Sequence, residues 1–232
     1  MKPSPYPTFR LLACASVIAL SPEIGAAAEI DLFDYGFNID GDVSVPTLGD
    51  PLPSSVDLAA FDTASGLGSI IVRSSSAGAH YVGLFVDHEI DQFINGFTNE
   101  SGSAMGTPAV GQSWEIDEPG FFFGDIFDNF QLGAFDNSNA VPAGAEDDVS
   151  MGMAWDFTLD PAEVGTISFL LSDVQPASGF FLEQTDADSD ASVYLSSSLR
   201  ISGQPMPVPA TLWLTAAGLL AVWGAYSRRK RV

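Results

Sequence analysis

Charge is the feature that most constrains what this chain can fold into. Of its 30 acidic residues only Glu23 precedes residue 29 and none follows residue 205, so 29 lie between these positions. Only two of the eight basic residues, Arg73 and Arg200, lie in the same range, which leaves a formal charge of −27 there. Self-repulsion on this scale opposes compaction, and nucleic acid is excluded as a partner because its phosphates are also anionic. A fold built from this segment must be held by an apolar core or by bound cations.

The same segment carries the apolar residues that a core needs. Most of the 17 phenylalanines lie in it, and its length is sufficient for one sizeable core. The alternative, an acidic chain that stays disordered, is disfavoured by these aromatic residues and by repeated β-patterned runs. The only cysteine, Cys14, lies upstream, so residues 29–205 can use neither disulfides nor a thiol nucleophile.

Six short apolar runs bounded by Gly, Pro, Asp or Ser are typical of β-strands. The alternation in the last run predicts a strand with one buried face, with Ser196, Ser198 and Arg200 on the outward face. The residues predicted to face inward are Val193, Leu195, Ser197, Leu199 and Ile201. No stretch of residues 29–205 has a convincing helical period. The sequence therefore predicts a mainly β ectodomain over residues 29–205, an antiparallel β-sandwich or jelly roll. The predicted strands are 69–74, 79–86, 149–159, 165–172, 179–185 and 192–201.

Two connections between these runs have distinct compositions. Residues 160–165 (DPAEVG) predict a tight, hairpin-type link between two strands. Residues 101–107 are rich in Gly and Ser and predict an exposed loop.

The N-terminus has the three-region pattern of a secretory signal. Two basic residues among the first ten precede an apolar run over residues 11–20, which is too short to span a membrane. Three alanines at 26–28 supply the small residues that signal peptidase requires. We predict an N-terminal signal helix within a signal peptide over residues 1–28, with Glu29 as the first residue after cleavage.

The C-terminus ends in a second uncharged run, residues 211–226, followed by a basic cluster. A helix of this length spans roughly 24 Å, and aromatic residues near its ends extend its reach toward the membrane interfaces. We predict a single transmembrane helix over 211–226 that anchors the chain in the inner membrane. The basic tail 228–231 acts as a stop-transfer cluster and holds that end in the cytoplasm, so the ectodomain lies outside. Its residues are Arg228, Arg229, Lys230 and Arg231.

A proline-marked peptide, Pro207-Val208-Pro209-Ala210, lies directly before the apolar run. The order of peptide, apolar helix and basic cluster over residues 206–232 resembles the PEP-CTERM family of bacterial sorting signals. The variant is the one that reads Val-Pro-x-Pro-Ala, with Met206 in place of its first Val. The resemblance implies a substrate of exosortase, a membrane-embedded cysteine protease-transpeptidase of Gram-negative bacteria that make exopolysaccharide. It further implies transient anchoring, cleavage near the motif, and delivery to the cell surface or matrix.

The candidate metal site in the sequence is Asp186-Ala187-Asp188-Ser189-Asp190. Three carboxylates at alternate positions can converge on a hard cation where the backbone turns, which makes Asp186, Asp188 and Asp190 candidate calcium ligands. The segment departs from the EF-hand pattern because Ala191 replaces its Gly and Ser197 its terminal Glu. The alternative is a solvated acidic turn.

Three other acidic groups bear on possible chemistry. Residues 87–91 (DHEID) combine acid and imidazole, and we interpret them as a solvated strand end, the alternative being a metal site or an acid–base pair. Residues 146–148 (EDD) form a poorer ligand set, because neighbours on a strand face opposite ways. Asp125 and Asp128 flank aromatic residues, as the paired carboxylates of a glycosidase would, but so many acids make such a pair a weak signal.

The sequence contains no motif for a catalytic nucleophile, a phosphate loop or a zinc protease. We therefore expect a non-enzymatic structural or binding module, exported and associated with exopolysaccharide, with calcium as a possible bridging ion. The alternatives are a permanently anchored adhesin or receptor and a secreted carbohydrate-active enzyme.

Overall fold

The computed structural model describes residues 28–120 and 123–203. The predicted signal helix, the transmembrane helix and the sorting motif lie outside these ranges. Within them, no helix is long and apolar enough to cross a membrane. Eleven strands, two short α-helices and one 3₁₀ turn follow one another along the chain. They are β1 Ile30–Ile39, β2 Asp42–Ser44, the 3₁₀ turn Pro46–Leu48, β3 Val56–Asp62, β4 Leu67–Ser74, β5 Gly78–Ile90, α1 Gln92–Asn95, β6 Glu100–Met105, β7 Gln112–Asp117, α2 Ile126–Leu132, β8 Ser150–Leu159, β9 Glu163–Ser172, β10 Phe181–Asp186 and β11 Ser192–Gly203.

Two antiparallel sheets pack face to face, which confirms the predicted sandwich. The five-stranded sheet has the order β2-β1-β5-β8-β7, and the six-stranded sheet has the order β3-β4-β9-β11-β10-β6. Each of the six predicted runs contributes a strand. In the five-stranded sheet the longest pairing joins β5 to β8, from Gly78 opposite Leu159 to Asp87 opposite Ser150. This pair forms the centre of the five-stranded sheet.

The main core lies between the sheets and follows from alternation along each strand. On β5, Val82, Leu84 and Val86 face the six-stranded sheet and are fully buried, as is Phe169 of β9 on the opposite side. On β11, Val193 and Leu195 are buried, as the sequence predicted, whereas Ile201 is exposed, so the predicted inward face is wrong at the end of the strand. This layer holds the sandwich without disulfides and with one exposed ion pair between an arginine and a carboxylate in the described residues, Arg73 with Asp57 at 3.7 Å.

A second, smaller core covers the other face of the five-stranded sheet, which we call the outer face. Phe85 of β5 points to this face and packs against Phe130 of α2. Gly36 of β1 and Gly152 of β8 have no side chain at the points where aromatic rings approach the sheet. The Asn38 amide donates hydrogen bonds of 2.7 and 3.1 Å to the last turn of α2. The segment between β7 and β8 is thereby fixed across the sheet.

Two predicted connections are wrong. Residues 160–165 do form a tight turn, but β8 and β9 belong to different sheets, so the turn crosses between the sheets instead of closing a hairpin. Residues 101–107 are not a loop, because Glu100–Met105 is strand β6 at the edge of the six-stranded sheet. Its small residues are a packing requirement: Gly102 lies under the buried Ile116 side chain of β7.

This contact predicts the effect of a single added methyl group. A Cβ at residue 102 would overlap Ile116, so we expect Gly102→Ala to lower the free energy of unfolding by about 1–3 kcal/mol through overpacking. Urea unfolding of the purified protein measures this change. Gly203→Ala in β11 is the matched control, since a Cβ there meets no atom within 4 Å. Equal stability of the two variants would contradict the packing role.

Candidate functional site

A cleft of about 510 Å³ opens at one end of the five-stranded sheet. Four chain segments meet there: the first half of β1, the end of β5 with the residues after it, the residues after β7, and those before β8. The cleft lies on the outer face, beyond the small core under α2. Its volume is in the range of small-molecule binding sites.

Three phenylalanines line this cleft and remain substantially exposed. Phe33, Phe97 and Phe123 retain 55%, 46% and 71% of their accessible surface. Phe33 is the extra residue of a β-bulge in β1, between the pairs Leu32–His88 and Asp34–Asp87. Such bulges re-aim a side chain out of the regular alternation. Exposed aromatic rings gathered at one cleft are typical of a binding surface.

Five carboxylic acids share the cleft with these rings, and no basic residue lines it. Asp87 and Glu89 are two apart on β5, so both point to the outer face, as Phe85 does. Their relative exposures are only 1% and 5%. The interpretation of residues 87–91 as a solvated strand end is therefore wrong for these two. The remaining acids are Glu118, Asp147 and Asp148.

Burial is the main cause of the raised pKa values of these acids. Burial, together with nearby carboxylates, raises the pKa of Glu89 to about 7 and that of Asp148 to about 6. Burial also raises the pKa of Asp87 well above its usual range, with the Asp148 charge as the next cause and the Ser150 hydroxyl opposing it. A protonated carboxyl group or a bound cation would relieve this repulsion.

Two carboxylate oxygens of the cleft have no hydrogen-bond partner. They are Oε2 of Glu89 and Oδ1 of Asp148, and both atoms are buried. A buried acceptor without a donor costs about 1–3 kcal/mol, and more when it is charged. A proton held by one of these acids, or a ligand toward which the carboxyl groups turn, could supply the donors.

A second acidic group could hold a metal ion. Glu115 and Asp117 of β7 and Asp125 before α2 each offer a carboxylate oxygen, and these oxygens lie within 4.8 Å of one another. Glu115 and Asp117 share the outer face because they are two apart on the strand. Carboxylate oxygens are the ligands that hard cations such as Ca²⁺ prefer.

Protein donors already contact most of these oxygens. The Asn129 amide of α2 donates to both oxygens of Glu115, at 3.0 and 3.2 Å. Asp117 accepts the backbone N–H groups of Glu118 and Asp125, at 2.8 and 2.7 Å. Burial nevertheless raises the pKa of Glu115 to about 7. The group therefore ties β7 to α2, and it retains carboxylate lone pairs for a cation.

The predicted calcium ligands lie in the turn between β10 and β11. Asp186 accepts the backbone N–H groups of Asp188 and Ser189 through one oxygen and the Asn95 amide through the other. The Asn99 amide contacts Asp188 at 3.3 Å. Asp186, Asp188 and Asp190 do not form a group of carboxylates within 4.8 Å, unlike Glu115, Asp117 and Asp125. Calcium binding by this turn stays a prediction that its geometry does not favour.

The structure joins acids that the sequence showed as separate groups. Residues 87–91 and 146–148 are far apart in the chain, yet Asp87, Glu89, Asp147 and Asp148 line one cleft. Of the proposed carboxylate pair, Asp125 belongs to the possible metal group and Asp128 lies on α2 without joining it. Glu115 and Asp117 were not identified from the sequence, although their i, i+2 spacing beside a Gly-rich aromatic stretch was visible.

Comparisons with known proteins do not supply a relative. No family model matches the chain, and searches of curated proteins and of solved structures find no significant match. Its fold and site define it as an acidic β-sandwich with an aromatic-lined, carboxylate-rich cleft.

The buried acids predict an unusual pH dependence of stability. Burial raises the pKa of Glu100 to about 8, above those of Glu89 and Asp148. The folded state therefore binds more protons than the unfolded state, and its stability is lost as pH rises through about 6 to 8. We expect the free energy of unfolding to be about 1–3 kcal/mol greater at pH 5 than at pH 8.5.

Urea unfolding at a series of pH values tests this expectation. Glu100→Gln should reduce the slope, because it removes the acid with the highest of the three pKa values, whereas Asp173→Asn at an exposed position should leave it unchanged. A stability that is flat or rises between pH 5 and 8.5 would refute the assignment.

Proposed function

We propose that this chain is an exported, non-catalytic binding module that associates with exopolysaccharide at the surface or in the matrix of a Gram-negative bacterium. The observation that carries the proposal is the cleft lined by Phe33, Phe97 and Phe123 together with five acids. Flat apolar rings can pack on the C–H faces of sugar rings, and carboxylates accept hydrogen bonds from sugar hydroxyls. The site lies on a rigid sheet, which suits recognition of a repeating polymer.

The proposed route to the surface depends on both chain ends. Signal peptidase removes residues 1–28, and exosortase cleaves near Pro207–Ala210 after the helix 211–226 has held the chain in the inner membrane. One contact of Glu29 supports the first cut. The backbone nitrogen of Glu29 donates to Asp91 at 2.8 Å, so cleavage after Ala28 would place a charged amino group beside that carboxylate.

We also propose that the strands of the sandwich are connected as in a jelly roll.

Two acids of the cleft support a second candidate function, that of a secreted carbohydrate-active enzyme. A glycosidase uses one protonated and one ionised carboxyl group, and the pKa values of about 7 for Glu89 and 6 for Asp148 permit such a pair. Release of reducing sugar ends from exopolysaccharide would favour this enzyme. Retention of the C-terminal tail in the mature protein would instead favour a permanently anchored adhesin or receptor.

The main proposal predicts polysaccharide-dependent retention at the cell surface. The full chain is expressed in an exopolysaccharide-producing host with exosortase, and cells are fractionated. We expect the mature protein to remain with the matrix and to be released to the medium when polysaccharide synthesis is deleted. Phe97→Ala with Phe123→Ala should reduce retention several-fold, because two rings of the cleft are removed.

A control substitution distinguishes binding in the cleft from a general effect of exposed apolar side chains. Leu170→Ala removes an exposed apolar side chain of β9 outside the cleft and should leave retention unchanged. Intact precursor in the cytoplasm would refute export. Full retention of the double phenylalanine variant would refute the role of the cleft.

We also propose that calcium binds at Glu115, Asp117 and Asp125. Three convergent carboxylates match the oxygen ligands of Ca²⁺, and the ion would neutralise mutual repulsion between β7 and the start of α2. Sites of this kind in extracellular modules bind in the range of about 10⁻⁴–10⁻³ M. Calcium could then bridge or stabilise the module in its polysaccharide matrix.

Thermal unfolding tests the calcium site. At about 10 mM CaCl₂ we expect a Tm increase of a few degrees, since a ligand that binds only the folded state stabilises it. Asp125→Asn should abolish the increase, whereas Asp188→Asn in the β10–β11 turn should preserve it. The reverse result would move the calcium site to the turn, and no shift in the unaltered protein would exclude calcium at both.

A further inference from the structure

The carboxylates of the cleft differ in one respect from those of the possible metal group. Glu115 and Asp117 accept hydrogen bonds from amide groups of the protein. In the cleft, Glu89 has a relative exposure of only 5%, yet its Oε2 accepts no hydrogen bond. Oδ1 of Asp148 also has no donor. These two buried acceptors, on side chains that line one cavity, receive no donor from another group of the described residues, so a proton held by one of the acids or a ligand must satisfy them.

The negative charge around the cleft indicates that its ligand is positively charged. Five carboxylic acids line it, no basic side chain does, and the body carries 29 acidic and two basic residues. The protein field attracts cations to this opening and repels anionic polymers such as uronate chains. A donor group that carries a positive charge is therefore favoured over a neutral hydroxyl group.

The spacing of the acids decides between a metal ion and an organic cation. Among the described residues, only Glu115, Asp117 and Asp125 bring three carboxylate oxygens within 4.8 Å of one another. The cleft acids are spread more widely around about 510 Å³, far more space than one ion fills. An ammonium group on a carbon skeleton can contact separated carboxylates through its three N–H donors. Its attached ring can pack on the phenylalanines.

We infer that the cleft binds a glycan with free, protonated amino groups, a segment of a de-N-acetylated amino-sugar polymer. The ammonium group donates to the carboxylates of Glu89 and Asp148, whose buried Oε2 and Oδ1 turn toward the cleft on binding, and the sugar ring packs against Phe97 and Phe123. This inference rests on the proposed polysaccharide-binding function and names its ligand class. The aromatic faces add cation–π attraction to the same group.

The bound cation would also lower the raised pKa values at the site. Without it, Glu89 and Asp148 are buried next to other carboxylates and hold protons near neutral pH. An ammonium group within hydrogen-bond reach favours their ionised forms. Binding at pH 7 should therefore release protons to the buffer, which a calorimeter detects as a dependence of the apparent enthalpy on the buffer's ionisation enthalpy.

Isothermal titration calorimetry with the full chain in detergent tests the inference. The ligands are a tetramer of glucosamine, its fully N-acetylated counterpart and a tetramer of hexuronate, in about 0.15 M salt to screen the general surface field. We expect the amino tetramer to bind at least about tenfold more tightly than the N-acetylated one, as charged hydrogen bonds imply. The uronate tetramer should not bind.

Matched substitutions locate the effect. Glu89→Gln and Asp148→Asn each remove a charge from the cleft, and each should weaken binding of the amino tetramer by about tenfold or more. Asp173→Asn removes the same charge at an exposed position outside the cleft and should leave binding unchanged. Unaltered circular dichroism and thermal unfolding show that each variant is folded. The comparison of the three ligands on the unaltered chain needs no variant.

The contrary outcomes are distinct. Equal or tighter binding of the N-acetylated or uronate tetramer overturns the amino-sugar assignment and leaves polysaccharide binding supported. An equal loss of affinity in Asp173→Asn and Glu89→Gln also overturns it, since the attraction would then be unspecific. If Ca²⁺ alone binds in a Glu89-dependent way and the amino tetramer does not, the cleft is a metal site and the inference is wrong. Binding of no glycan overturns the proposed function as well.

Discussion

The structure depends on how the outer face of the five-stranded sheet is covered. The segment between β7 and β8 crosses this face and packs α2 against it, with Phe130 and Phe135 filling the space that Gly36 and Gly152 leave open. The cover ends before the strands do. Beyond Phe85 the same face of β5 continues into Asp87 and Glu89, and the uncovered end of the sheet becomes the cleft. The small core thus determines where the cleft lies.

A domain with so few basic residues cannot neutralise its buried acids by ion pairs, and it handles them in two other ways. At Glu115 and Asp117, amide donors from the covering segment satisfy the carboxylates. Glu100 is satisfied similarly, by the backbone N–H of Ile90 and the amide of Gln184. At Glu89 and Asp148 one carboxylate oxygen of each has no donor, although burial raises the pKa values of Glu89, Asp148, Glu100 and Glu115 alike. The first arrangement stabilises the fold, whereas the second stores unfavourable free energy at an accessible site.

The sequence predicted the sandwich because its best strands are patterned in the usual way, apolar and β-branched between turn residues. It missed five strands, β1, β2, β3, β6 and β7, in which acidic, small or polar residues interrupt the apolar pattern. In β6 Gly102 is required for packing between the sheets, and in β7 Glu115 contacts α2. Helix α2 has seven residues, too few to establish a period. The cleft could not be predicted, since nothing local shows that Asp87 and Asp148 approach one another across 61 residues. Acids near a strand end are usually solvated, and only the tertiary cover over β5 removes the water.

The incomplete satisfaction of the cleft acids is itself an argument for function. Protein folds keep buried carboxylates without donors only rarely, because apolar residues of similar size would be more stable at the same positions. Here two such acids lie beside three exposed phenylalanines, a combination that costs stability and solubility together. Both costs fall when one ligand supplies a charged donor to the acids and an apolar ring to the aromatics. The buried acids and the exposed phenylalanines are both unfavourable without a ligand, and one class of ligand would stabilise both. We expect this combination at a binding site in a strongly anionic β-sandwich.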